Sequence, residues 1–121
     1  MAWRYLDALR GSRRFGKAAR KQAAGRLREA YHEFLELDRW FDSRGPLYWP
    51  PFMITRLMTL VHLVEVAKAL EEKSIVEASL LKWLSEYKSA CTTDPFWTQD
   101  PNLQRWEKWA RATLAESQGR A

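Results

Sequence analysis

Residues 27–42 read Leu-Arg-Glu-Ala-Tyr-His-Glu-Phe-Leu-Glu-Leu-Asp-Arg-Trp-Phe-Asp. Leu27, Ala30, Tyr31, Phe34, Leu37 and Phe41 recur at steps of one, three and four. On a 3.6-residue period that spacing gathers them on one side of an amphipathic helix. A strand would need alternation in twos, which this stretch lacks.

The punctuation around this stretch is helical as well. Upstream, Ser12 is suited to cap a helix running from residue 13 to about 42, after a short helix over residues 2–10 that stops at Gly11. Gly16 and Gly25 would each cost that long helix about 1 kcal/mol relative to alanine. Its first half is therefore expected to fray, or to order on a partner. Downstream, Pro46, Pro50 and Pro51 predict a loop over residues 43–52, rich in aromatic residues. A third helix, apolar nearly all round and so central, is expected from about 52 to 72. Ser74 and Glu77 have the spacing of a capping box and would open a fourth helix from 75 to about 90, burying Val76, Leu80, Leu84 and Tyr87. Asp94-Pro95 and Asp100-Pro101 each pair an N-cap residue with a proline fit for the first helical position. The second pair starts the last helix, 101 to about 116, with Leu103, Trp106, Ala110 and Thr113 inward. No Asn-Gly or Asp-Gly hairpin turn and no sustained β-branched alternation occurs. The expected fold is all-α: a small irregular bundle of four main helices plus short joint helices, in one domain over residues 1–121.

Composition bounds the setting. The chain has 121 residues, 46% of them apolar and 29% charged, which suits a globular chain better than a membrane-embedded one. The longest apolar stretch, 53–70, is interrupted by Arg56, His62, Glu65 and Lys68, so no membrane span is expected. The first residues show no apolar run with a small-residue cleavage site. One cysteine, Cys91, cannot close an internal disulfide, and a reducing cytoplasm is the expected location.

The net charge of +5 is unevenly spread. Residues 1–28 carry nine basic side chains against Asp7 alone, whereas residues 29–121 carry eleven basic and fourteen acidic. On a helix, Arg10, Arg13, Arg14, Lys17, Arg20, Lys21 and Arg28 fall along one stripe, with Phe15, Ala18, Ala19, Ala23 and Leu27 along the other side. From Arg13 to Arg28 the stripe would measure roughly 22 Å at 1.5 Å per residue. Seven of the nine basic residues are arginine, whose planar fork matches phosphate oxygens. Tryptophan is the second feature, with seven in the chain. Trp106, with Trp83 or Trp40, is expected in or beside the core. Trp49 in the proline loop and Trp97 before the last helix are expected outside it, as anchors for a protein partner or stacking surfaces for bases.

Catalytic and metal readings fail on spacing. Glu29 and His32 form one Glu-x-x-His pair, but a two-metal bundle site needs two such pairs and further inward glutamates. His62 reads as a satisfied core histidine and His32 as a surface residue. Cys91 belongs to a helix end, where no dipole lowers a thiol pKa. Gly11 and Gly16 lack the Gly-Lys-Ser/Thr ending of a phosphate loop. A helix-turn-helix at the third and fourth helices would bring Glu71, Glu72 and Glu77 to DNA phosphates. No catalytic residue, metal or cofactor is expected.

The sequence therefore predicts a non-enzymatic helical subunit that binds a nucleic-acid phosphate backbone, DNA or RNA, through its basic N-terminal helix within a larger assembly. In size, charge and helical content it is similar to the small helical subunits that line RNA-guided CRISPR effector complexes. The alternative is a protein-interaction module, an adaptor or inhibitor, using Trp49, Trp97 and the basic helix against an acidic partner. A third reading lays the N-terminal helix on anionic lipid through Trp3, Tyr5, Leu6, Leu9 and Phe15.

Overall fold

A computed structural model describes residues 2–45 and 48–119, with side chains from Tyr5 onward. Residues 46 and 47 of the aromatic loop, and the Trp3 side chain, lie outside the described residues. The chain is all-α: five α-helices and one short 3₁₀ turn, with no strand among the described residues. In order they are α1 (Ala2–Ala23), α2 (Leu27–Arg44), α3 (Pro50–Ala69), α4 (Lys73–Thr93), the 3₁₀ turn (Pro95–Gln99) and α5 (Pro101–Ser117).

Five long helices stand where four were expected, because the break falls at Gly25 rather than Gly11. The Gly25 amide donates to Gln22 O (3.0 Å) and the Arg26 amide to Lys21 O (2.9 Å), closing α1 with a Schellman turn. That turn requires a left-handed residue, and Gly25 supplies it at φ 80°. Gly11 has a different task. It is buried inside α1, and a Cβ there would lie 3.1 Å from Phe41 Cζ and 3.2 Å from Trp40 Cζ3. Its missing side chain lets α1 sit directly on the aromatic end of α2.

The α3–α4 turn also departs from the expected capping box. Glu71 adopts the left-handed conformation at φ 60°, with its amide bonded to Lys68 O and that of Glu72 to Ala67 O. This is the same Schellman arrangement with glutamate in the glycine position. Helix α4 starts at Lys73 after Glu72, with no side-chain cap, so Ser74 is already inside the helix. Glu77 is turned away and accepts from Ser117 Oγ of α5 at 3.0 Å. Helix α3 begins earlier than expected, at Pro50, because a proline in the first turn gives up no hydrogen bond. The two Asp-Pro caps form as read: Asp94 accepts from Phe96 N (2.9 Å), and Asp100 from Asn102 N (2.8 Å) and Leu103 N (3.2 Å).

Helix α3 is the central element, packed against α1, α2 and α4, while α5 lies along α4 and the 3₁₀ turn. The face of α2 read from residues 27–42 is buried as expected, with Ala30, Tyr31, Phe34, Leu37 and Phe41 all below a tenth exposed. Phe41 and Phe52 meet edge to face at 5.0 Å between ring centres. One polar feature inside this core was not foreseen. The buried Arg56 of α3 donates to Asp42 Oδ1 at 2.7 Å and lies 3.1 Å from Glu86 Oε1, while Lys82 of α4 reaches Asp38 and Asp42. Burial works against the Lys82 ammonium, but its hydrogen bonds to Asp42 and Asp38 outweigh this and raise its pKa. The network ties α2, α3 and α4 together. No helix among the described residues is long and apolar enough to cross a membrane.

Candidate functional site

Helix α1 rests on α2 and α3 by one side only. Its buried positions, Ala8, Gly11 and Ala18, with the half-buried Phe15 and Gln22, define that side. Arg10, Arg13, Arg14, Lys17 and Arg20 are exposed, and at 100° per residue they occupy roughly a third of the helix circumference, pointing away from the core. The basic residues of α1 are thus gathered, not scattered.

They are not equally free. Lys21 donates to Glu33 Oε1 of α2 at 2.6 Å and is largely covered, and Lys17 Nζ stands 3.6 Å from the same oxygen. Burial opposes ionisation of Glu33, yet the Lys21 hydrogen bond and the charges of both lysines outweigh it and hold its carboxyl below the usual range. Arg10 reaches Asp7 only at 3.9 Å. Arg13 and Arg20 make no ion pair among the described residues.

Two members of the sequence stripe need correction. Arg28 follows the break at Gly25 and so belongs to α2. Its guanidinium meets Glu72 at 3.2 Å and lies over the Tyr31 ring, off the α1 row. Lys21 sits at the α1–α2 seam, where Glu33 consumes its charge. The row that faces solvent runs from Arg10 to Arg20, about 15 Å at 1.5 Å per residue.

The structure adds a feature the sequence reading missed. Arg14 of α1 and Arg44 of α2 both lie over the Trp40 ring, at 5.8 and 5.4 Å from its centre. Held by an aromatic face, the Arg14 guanidinium is ordered without being neutralised, so its charge stays available to an anion, whereas Arg44 Nε also lies 3.8 Å from Asp7 Oδ1. Arg44 follows Trp40 by four residues, a helical neighbour, and that spacing was the available signal.

The tryptophan assignments divide. Trp83 is fully buried, and Trp40, Trp106 and Trp109 are half-buried against the core. Trp97, expected as an exposed anchor, is 1% exposed and is a core residue. The two Asp-Pro caps curl the linker into the 3₁₀ turn, which folds this ring onto α4 and α5, and Tyr87 Oη donates to Trp97 O at 3.0 Å. Trp49 is half-buried beside Phe52, with its ring edge-on to Tyr5 at 5.1 Å. Phe15, counted on the lipid-facing side, packs against Phe34 and His62 instead. Tyr5, Leu6 and Leu9 are exposed, at 67%, 50% and 51%.

His62 is held between Phe15 and Phe34, with Nδ1 2.8 Å from Gln22 Oε1, and burial pushes its pKa down. His32 is exposed, and Glu29 is bonded to Arg26 rather than turned to it. Among the described residues no three His, Cys, Asp or Glu side chains cluster in a way that would hold a metal ion. An open groove of about 420 Å³ lies where the α3–α4 turn meets the end of α5, lined by Ala67, Val76 and Thr113 under a rim of mixed charge. No protein-family model, curated protein or solved structure matches the chain.

Proposed function

We propose that the protein is a non-enzymatic helical subunit whose α1 holds a nucleic-acid phosphate backbone. The observation that carries this reading is the outward row on α1, where Arg13 and Arg20 have no intramolecular ion pair among the described residues. Arg14 is held by Trp40 without losing its charge, and Arg10 and Lys17 are only loosely engaged. Guanidinium groups displayed on a rigid rod cost little to organise and match phosphate oxygens. Cys91, the one cysteine of these 121 residues and a free thiol, fits work in a reducing cytoplasm. The reach of the site is smaller than the seven-residue stripe implied, at three to five phosphates, because Lys21 and Arg28 answer to the protein's own carboxylates.

Charge reversal tests the proposal. Arg13→Glu with Arg20→Glu should lower affinity for an oligonucleotide at least tenfold at about 50 mM salt, since each lost contact also becomes a repulsion. The matched control, Lys88→Glu with Lys108→Glu, changes two exposed lysines on α4 and α5, neither of which packs against α1. It should leave binding within about twofold. Equal losses from both pairs, or none from either, would refute a site on α1. The adaptor reading retains Trp49 alone as its aromatic anchor. It gains the upper hand if Trp49→Ala abolishes capture of a protein partner while the Arg13/Arg20 reversal leaves it intact.

A further inference from the structure

The row of basic residues does not occupy the outer side of α1 by itself. Tyr5, Leu9, Arg13 and Arg20 follow one another within a strip of about 80° on the helix surface, with Leu6 alongside. The first half of the strip is thus apolar and aromatic, and the second half cationic. Tyr5 is two-thirds exposed, and its ring is steadied by the edge of Trp49 rather than covered by it. Tyr5, Leu6 and Leu9 thus leave an exposed apolar patch at one end of a cationic ridge.

Resting on the nucleic-acid reading, we infer that the ligand is single-stranded and that one of its bases stacks on Tyr5 while its phosphates track Arg13, Lys17 and Arg20. Two observations select a single strand over a duplex. A duplex keeps its bases stacked internally and offers a rod of this kind only phosphates or a groove. Insertion of α1 into a major groove about 12 Å wide would also carry α2 along its flank. There Glu29, Glu33 and Glu36 line the edge nearest the basic row and would meet the opposite phosphate wall. A single strand needs one ridge and one platform, and every base has a face to stack. From Tyr5 to Arg20 is about 22 Å, room for at most about six nucleotides at a stacked spacing of 3.4 Å.

The test is fluorescence anisotropy with a labelled 12-nucleotide oligo(dT) and a blunt 12-base-pair duplex at equal low salt. Wild type, Tyr5→Ala, Tyr5→Trp and Arg13→Ala/Lys17→Ala/Arg20→Ala are compared. Tyr5 is too exposed for its truncation to endanger the fold. The expected result is at least a fivefold preference for the single strand. Tyr5→Ala should weaken single-strand binding about fivefold or more without changing duplex binding, and Tyr5→Trp should restore it. The triple variant should lose both ligands. Duplex binding as tight as single-strand binding, with Tyr5→Ala neutral for both, overturns the single-strand inference and leaves the backbone-binding proposal standing. Failure to bind either oligonucleotide, while anionic phosphatidylserine vesicles co-sediment with the protein, overturns both.

Discussion

Replacing Gly11 with alanine adds one methyl group at the point where α1 touches α2. By helix propensity alone the change should help, by about 1 kcal/mol. The added carbon, however, would stand 3.1 Å from Phe41 Cζ and 3.2 Å from Trp40 Cζ3, closer than carbon atoms pack at rest. Phe41 has no room to yield: it is fully buried, with Phe52 and Trp40 edge-on to it at 5.0 and 5.1 Å. Overpacking of a filled core costs about 1–3 kcal/mol, so the net effect is destabilisation of roughly 0–2 kcal/mol. Gly16 is the internal control. It lies in the same helix, and a Cβ there would meet only Arg20 Nη1 at 3.5 Å, the end of a flexible side chain. Gly16→Ala should stabilise by about 1 kcal/mol, which separates the two variants by roughly 1–3 kcal/mol. Equilibrium urea unfolding followed by tryptophan fluorescence measures the gap. With a urea slope of about 1–3 kcal/mol/M it appears as a clear difference in midpoint. If Gly11→Ala stabilises as much as Gly16→Ala, α1 does not dock as described, and the orientation of its basic row falls with it.

Other outcomes follow from single contacts. Trp97→Ala should destabilise by about 3–5 kcal/mol in the same assay, because the ring is core; a change below 1 kcal/mol would return it to the surface. Glu71→Gly should stabilise by about 1 kcal/mol, since glycine carries no penalty at φ 60°, and a destabilised variant would contradict the turn geometry. His62 is held neutral by burial, so between its lowered folded pKa and about 6.5 the unfolded chain binds more of its proton. Its contribution to stability is complete above about pH 6.5 and is lost as the pH falls through the folded value. Thermal melts between pH 7.5 and 5.5 should show Tm declining in wild type and flatter in His62→Gln; parallel curves would remove His62 as the cause.

Much of the fold was legible because it rests on periodicity and local capping chemistry. The buried face of α2, the apolar girth of α3 and the two Asp-Pro caps are properties of short stretches, and all formed where the residues indicated. What escaped depended on distant partners. Gly11 looks like a stop signal until Phe41 and Trp40 are seen filling the space beside it. Arg56 looks like an interruption of an apolar helix until Asp42 and Glu86 are found around it. Glu71 occupies a glycine's position, so the α3–α4 turn carried no glycine signal and Ser74 drew the cap assignment instead. The basic row was visible as composition, but its division into neutralised and free members was not. That division is decided by Glu33 and Glu72, which lie twelve and forty-four residues from the lysine and arginine they hold.

The claim that α1 presents three to five uncommitted positive charges to a polyanion is met most directly by the salt dependence of oligonucleotide affinity. Counterion release then predicts a slope of log Kobs against log salt of about −2 to −4.5, at 0.7–0.9 per phosphate contact. Arg13→Ala/Lys17→Ala/Arg20→Ala should flatten it by about 2. A slope near zero, or one that the triple substitution leaves unchanged, would contradict the account.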